Sequence, residues 1–505
     1  MKKTTILLFL ILLKFVLHYF LIAADYELHR DEFLHLDQAN HLDWGFTSVP
    51  PFTSWVSLLI KILGNGIFWI KFFPALFGAL TILLVWKTID TLKGGTFACL
   101  FGSCCLIFSS LLGINVLYQP NSFDVLCWTA FYYCSINYIN RNRSKYLYFM
   151  AFVFALGFLN KYSIVFLLLG FIPALLLSKE RKVFGNKHLY YAAALAFILI
   201  LPNLIWQYQQ HFPVFTHMQQ LAATQLVHVN RGNFIAAQFL FFPGTFPVVL
   251  IAFWALLYDS RFQKYRVFLY SFSITLGIFL FFKAKSYYAF GLYPIYIAFG
   301  AVYLGRWIKK PAPVLKTALV SWVIISFIPQ YRLAFPKHSP AYIVQHPEKY
   351  RKHDLLTWED GKQYPLPQDF ADMLGWKELA RKVDSIYLGM PYPKNTLILC
   401  DSYGQAGAIN YYSTLGLQAV SFEADYINWF NLRPTYRNLI RVKYAWEREA
   451  EMAGTGPIFE HAALADSITT AYARENGTLI FSFTGAKINI TDRIKQEIET
   501  KKNTP

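Results

Sequence analysis

Asp31 and Glu32 stand side by side just beyond a first apolar run, Thr4 to Ala24. An adjacent carboxylate pair beside a bilayer offers a general base for a hydroxyl group. The same pair would equally suit a solvated helix start, because acids favour helix N-termini. A second set is cationic: Lys161, Arg231, Lys283 and Lys285, with Tyr287 and Tyr288 following. Cations and phenolic hydroxyls together can hold a lipid phosphate; long basic side chains can also act as snorkelling anchors. Asp124 opens an apolar run two residues after Ser122, placed either to cap that helix or to line the same cavity. His29, His35 and His41 recur every six residues rather than at the i, i+4 interval of a helical metal pair, so a metal site is a weak reading: a divalent metal stays open but is not indicated, and no cofactor is named. Lys14 and His18 do have that interval, inside the first run, where a polar bundle interior accounts for them.

The elements that must position these residues are mostly buried in lipid. Only 15% of the chain is charged and 55% is apolar, against roughly 25% charged for a soluble domain; the disordered class is excluded and an ordinary soluble enzyme fits poorly. Residues 1–331 hold 26 Lys/Arg against 10 Asp/Glu, while residues 332–505 are nearly balanced at 21 against 20. The excess charge therefore belongs to the apolar part, which points to membrane loops and away from a nucleic-acid partner. Five of the six cysteines lie in apolar runs and no C-x-x-C pair occurs, so neither a disulfide framework nor a zinc site is expected.

The first run and ten more, near 67–90, 96–114, 123–140, 146–160, 162–178, 188–206, 234–257, 266–282, 288–306 and 314–331, predict about 11 transmembrane helices. With the N-terminus in the cytoplasm, 18 basic residues fall inside and seven outside, which satisfies the positive-inside rule. The odd number of spans then leaves residues 332–505 outside. The first outer loop, about 25–66, reads as two interfacial helices, one over Asp31–Trp44 and one over Pro51–Leu63. The tail predicts a small α/β domain. Its helices are expected near 376–386, 405–412 and 492–501, and its strands near 396–400, 417–422, 439–444 and 478–483.

Short motifs carry a family resemblance. His29-Arg-Asp-Glu-Phe33, Asn40-His-Leu-Asp-Trp-Gly45, Val49-Pro-Pro51, Lys71-Phe-Phe-Pro-Ala75, Ser122-Phe-Asp-Val-Leu-Cys-Trp128, Gly157-Phe-Leu-Asn-Lys-Tyr162, Asn203-Leu-Ile-Trp-Gln207, Gln238-Phe239 with Pro243, Lys285-Ser-Tyr-Tyr288 and Ser402-Tyr-Gly-Gln-Ala-Gly-Ala-Ile-Asn410 occur in order. Together they resemble the bacterial polyprenyl-phosphate-sugar glycosyltransferases of the dolichyl-phosphate-mannose–protein mannosyltransferase and lipid A aminoarabinose transferase superfamily. The resemblance implies a GT-C fold in a bacterial inner membrane, with a transmembrane domain over 1–331 and a periplasmic α/β domain over 332–505. It implies inverting transfer of one sugar from polyprenyl phosphate to a protein, lipid A or envelope-glycan hydroxyl on the outer face. It places the essential loop-one acid at Asp31, with Glu32 beside it and Asp124 as a further site acid. Arg30, Lys161, Tyr162, Arg231, Lys283, Lys285, Tyr287 and Tyr288 become the candidate substrate and phosphate contacts. Two positions depart from the pattern: Asn121 follows Pro120 where many relatives carry Asp, and Asn160 stands where Thr is frequent. A transporter or lipid flippase is the rival class, but the internal repeat of spans that many transporters show is not found.

Overall fold

The computed structural model describes residues 3–21, 23–308 and 312–503; Lys2, Lys309 and Lys310, counted above on the inner side, lie outside them. The chain divides into two compact units. The first holds residues 1–22, 49–212 and 218–337, and the second holds 23–48, 213–217 and 338–505. The first outer loop, placed with the membrane region on sequence grounds, is thus divided between them.

Among the described residues the first unit's elements are all helices, and six of those helices are long and apolar enough to cross a membrane: Lys3–Phe20, Ile67–Thr91, Lys187–Gln209, Ser260–Phe281, Ser286–Trp307 and Pro313–Ala334. Tyr162–Leu177 with Lys179–Gly185 makes a seventh if that pair, bent by 105°, is one span. The other expected spans are helical but short, broken or polar. Thr96–Ile107 stops before Leu111–Ile114. The run expected over 234–257 is divided into Arg231–Leu240 and Phe246–Tyr258 around Pro243, which lacks the N–H that a continuous helix needs. Asn121–Arg141 is 21 residues long, yet its asparagines, Asp124 and Arg141 leave it short of the apolar content of a span. Ser286–Trp307 is the central element, 83% buried. Lys187–Gln209 and Pro313–Ala334 lie at the other extreme, 17% and 11% buried, and they expose Phe197, Ile198, Trp322 and Ile325. Such outward apolar surface suits lipid contact and would be costly in water. Lys14 and His18 are both buried, as an inward-facing pair requires.

The second unit is built on a five-stranded sheet in the order β2-β1-β3-β5-β4. The strands are β1 (Thr396–Cys400), β2 (Ala419–Ser421), β3 (Asn438–Lys443), β4 (Phe459–Ser467) and β5 (Leu479–Ala486). β1 pairs in parallel with β2 on one side and β3 on the other, whereas β5 runs antiparallel to both β3 and β4. Alternation sorts the side chains: Leu397, Leu399, Leu439, Phe481 and Phe483 form one core with Ile490 and Ile494 of the helix Ile490–Asn503. β4 escaped the sequence reading. It is an edge strand, alanine-rich, largely exposed and bulged between Leu464 and Asp466, so it lacks the buried β-branched pattern that marks a strand.

Candidate active site

The helix Arg30–Asp37 carries the acidic pair, and it groups with the second unit. Its apolar residue Phe33 is fully buried among the rings of Trp376, Tyr411 and Tyr412. The helix lies against the helix Tyr403–Tyr412, which follows β1. That approach depends on Gly407: a Cβ there would stand 2.6 Å from both Phe33 Cβ and the Tyr426 hydroxyl. The backbone before the acids is fixed as well, since Glu27 N–H donates to the Met373 carbonyl (2.8 Å) and Arg30 N–H to that of Asp372 (3.2 Å).

Each residue of the opening motif has a separate task. Glu32 is fully buried and its Oε2 accepts the His29 N–H at 2.8 Å, half of a capping box at the helix start. Asp31 Oδ1 accepts the Tyr403 hydroxyl at 2.6 Å. The Arg30 guanidinium lies 4.4 Å from the Tyr403 ring centre, a cation–π contact. His29 Nδ1 is 3.2 Å from the Asp31 amide nitrogen and 3.8 Å from Asp31 Oδ2. Its Nε2 is 3.7 Å from Asp372 and 3.8 Å from Asp369. A neutral ring caps the helix through Nδ1, whereas a doubly protonated ring gives up that cap and becomes the cation among three carboxylates.

The charges follow from these neighbours. Burial opposes ionisation of Asp31, but the charges of His29 and Arg30 and the Tyr403 hydrogen bond outweigh it, holding the carboxyl at about 2. Burial likewise opposes a charge on His29; Asp31, Asp369 and Asp372 outweigh it and raise the ring to about 9. The Asp31 side chain nevertheless keeps 36% of its surface exposed. The result is a carboxylate that is ionised at any physiological pH and oriented by a phenol. Tyr403 follows β1, where the chain passes to β2 on one side and later to β3 on the other. Such a topological switch point, at the carboxyl ends of parallel strands, is where α/β sheets form ligand crevices.

The cations belong to the first unit. Lys161 sits in a hairpin after the helix Lys145–Phe158, and Gly157 lets that hairpin close: a Cβ there would be 2.2 Å from Ile164 Cδ1. Asn160 Nδ2 donates to the Pro120 carbonyl at 2.9 Å, and Lys161 Nζ donates to Asn121 Oδ1 at 2.6 Å. The two positions that depart from the family pattern therefore hold each other's segments in place. Lys161 Nζ also faces the rings of Tyr288 (4.5 Å) and Tyr287 (5.2 Å) and lies within electrostatic reach of Asp124 and Lys285. Asp124 is buried; its oxygens accept Trp128 Nε1 at 3.2 Å and the Ser163 hydroxyl at 3.3 Å.

The remaining candidates are placed differently. Tyr162 is braced by Asn203 and Gln207, donating to Asn203 Oδ1 (3.1 Å) and accepting from Gln207 Nε2 (2.8 Å). Arg231 is exposed, and its guanidinium donates to the carbonyls of Leu280 and Phe281 at a helix C-terminus. Lys283 follows that helix at φ 52°. Among the described residues no three His, Cys, Asp or Glu side chains group as a metal site. Sequence reasoning missed the roles of Tyr403, His29 and Asp372. Tyr403 lay inside a quoted motif, but nothing in its spacing pointed to Asp31, and Asp372 had no signal at all.

Comparison with known proteins bears on the fold. Residues 48–206 match the family model of dolichyl-phosphate-mannose-protein mannosyltransferase. Over 210 residues the chain is 28% identical to the lipid A galacturonosyltransferase RgtD of Rhizobium johnstonii, a match covering 40% of this chain and 43% of that protein. The match thus spans less than half of that relative's length. The fold is similar to that of ArnT from Cupriavidus metallidurans bound to undecaprenyl phosphate, with TM-score 0.61 and 12% identity over 95% of this chain and 98% of that one. The apo form of the same protein gives TM-score 0.62 over 94% and 97%. The chain thus has the GT-C fold of a multi-pass membrane protein, and its residues 48–206 carry the mannosyltransferase family match.

Proposed function

We propose that this chain moves a single sugar from a polyprenyl phosphate to a hydroxyl of an envelope acceptor on the outer face of the membrane. The acceptor oxygen attacks the anomeric carbon, the carbon–oxygen bond to phosphate breaks, and polyprenyl phosphate leaves with the bonding electrons. One in-line displacement of this kind inverts the anomeric centre. Asp31 collects the acceptor proton. A carboxylate of such low basicity suffices, because the hydroxyl becomes strongly acidic only as its bond to carbon forms. Lys161, flanked by Tyr287, Tyr288 and Lys285, is assigned to the donor phosphate, where fixed positive charge stabilises the departing group. The N-terminus is assigned to the cytoplasm and the second unit to the periplasmic side.

The observation that carries this reading is the 2.6 Å hydrogen bond from Tyr403 to Asp31, which orients an ionised carboxylate at the sheet's switch point. Three further points support it: the name of the Rhizobium relative, a lipid A glycosyltransferase; the undecaprenyl phosphate bound by the similarly folded ArnT; and the cation–tyrosine cluster. The test is transfer of labelled sugar from polyprenyl phosphate by the purified protein in lipid nanodiscs. Labelled acceptor is expected from the wild type and not from Asp31→Asn. Movement of the carrier across vesicles without sugar transfer would favour a flippase instead.

A further inference from the structure

The carboxyl ends of β1 and β3 hold a second feature with no part in the chemistry above. Past β3 the chain makes a tight turn, Glu447 N–H donating to the Tyr444 carbonyl at 3.0 Å. Ion pairs brace the turn: Lys443 Nζ is 3.1 Å from Asp401 and 2.5 Å from Glu447, and Arg441 is 2.8 Å from Asp401. Asp401 also accepts the Tyr444 N–H at 3.1 Å. On this frame the rings of Tyr444 and Trp446 stack at 4.5 Å and 9°. Trp446 is 78% exposed, so the outer face of a rigidly held indole meets solvent.

The surroundings of the stack define what fits on it. The Tyr444 hydroxyl lies beside Ser402 and feels the charges of Arg30 and Glu423. Arg30 covers Tyr403, and Tyr403 holds Asp31. A flat apolar face is thus bordered by hydroxyls and charges that lead back to the acid. A pyranose ring has the complementary form, an apolar C–H face within a rim of hydroxyls. Glu447 is paired with Lys443 at 2.5 Å and Glu451 with Arg441 at 3.6 Å, and Arg448 offsets Glu449, so the border of the indole has no cationic excess to draw it to anionic headgroups and suits an uncharged ring.

We propose that the Tyr444–Trp446 stack is the platform on which a pyranose ring of the acceptor rests, so that the acceptor is a saccharide. The proposal rests on the transfer reading above and specifies its second substrate. Because the platform is already ordered before binding, little conformational freedom is lost when the sugar docks.

Saturation-transfer NMR on the full chain in nanodiscs tests this directly. The probes are glucosamine, galactose and mannose disaccharides, with a serine-threonine peptide for comparison. At least one disaccharide is expected to receive saturation at its ring protons. Trp446→Ala should lower that signal at least tenfold, and Trp446→Phe should restore part of it. Absence of contact with every disaccharide, an unchanged signal in Trp446→Ala, or preferential contact with the peptide overturns the platform. Quenching of Trp446 fluorescence by brominated lipid in the nanodiscs, with no sugar contact, does so too, in favour of a lipid contact. A transfer assay on the wild type separates the two ideas: sugar contact without transfer removes the transfer reading and leaves a saccharide-binding stack, whereas transfer without sugar contact at Trp446 removes the platform alone.

Discussion

The Tyr403 hydroxyl meets Asp31 Oδ1 at 2.6 Å across 372 residues of sequence. A short chain segment that precedes most of the membrane helices therefore supplies a carboxylate, and the tail supplies the phenol that orients it. Charge-assisted hydrogen bonds of this kind are worth roughly 1.5–3 kcal/mol, enough to fix one carboxylate rotamer.

Asp31→Asn keeps size and hydrogen bonding but removes the base. Sugar transfer is expected to fall by about 10²–10⁴-fold, the range typical of a general base, while binding of the lipid donor stays within a factor of two or so. Steady-state transfer kinetics with a parallel donor-binding assay checks both. Wild-type rates in the Asn variant would remove Asp31 from the chemistry.

Tyr403→Phe removes the hydrogen bond and keeps the ring under Arg30. Transfer should drop about tenfold to a hundredfold. The Tyr403 hydroxyl helps hold Asp31 at about 2, so its loss raises that pKa and moves the acid limb of the pH–rate profile upward. A profile that stays in place while the rate falls would assign Tyr403 to packing alone.

His29 gives a pH signature in stability. Its pKa, raised to about 9, exceeds the free value of about 6.5. The charged ring therefore stabilises the fold fully below about 6.5, and that contribution is lost as pH rises through about 9. His29→Asn keeps a helix-capping side chain but cannot titrate. Melting temperatures from pH 6 to 10 should fall more steeply for the wild type than for this variant; parallel curves would contradict a charged His29.

Lys161→Met should raise the donor KM by about tenfold to a hundredfold, with a smaller change in kcat. Lys161→Arg should recover part of the loss, because it restores the charge but not the short contact to Asn121. Donor titrations with an undecaprenyl-phosphate sugar measure it. An unchanged KM returns Lys161 to a purely anchoring role.

Gly407→Ala introduces a methyl group where Phe33 and Tyr426 leave 2.6 Å. Overpacking of this kind costs roughly 1–3 kcal/mol. Thermal unfolding of the variant should begin several degrees lower, and its transfer activity should fall with it, because the helix bearing Asp31 is displaced. A methyl tolerated without either change would mean that the two helices separate freely.

The legible part of the molecule was whatever depends on local pattern. The spans at 67–90, 188–206 and 314–331 are visible because lipid demands an unbroken apolar run, and β1 and β3 because a buried strand demands Leu, Ile and Val. Breaks at Pro243 and after Ile107 were harder, since the apolar content continues through them. Partnership across the chain left no local trace. Tyr403 reads as one more aromatic residue until a helix folded from residues 30–37 is laid against it, and Asp372 reads as an ordinary loop acid until His29 and Arg474 close on it at 3.7 and 2.6 Å. Arg231 shows the converse: an outer cation that invites a phosphate, and whose Nε and one Nη donate to the carbonyls of Leu280 and Phe281, partners that no spacing in the sequence signals.

The divided second unit bears on how the protein is made. During synthesis residues 23–48 leave the ribosome long before the sheet they complete; Glu27, for example, caps Trp376 across 349 residues. Phe33 has no ring partners and Asp31 no phenol until the last helices have been threaded into the bilayer. A nascent chain stopped before residue 400 would therefore leave that loop unsheltered, an address at which proteases and chaperones find unfinished clients.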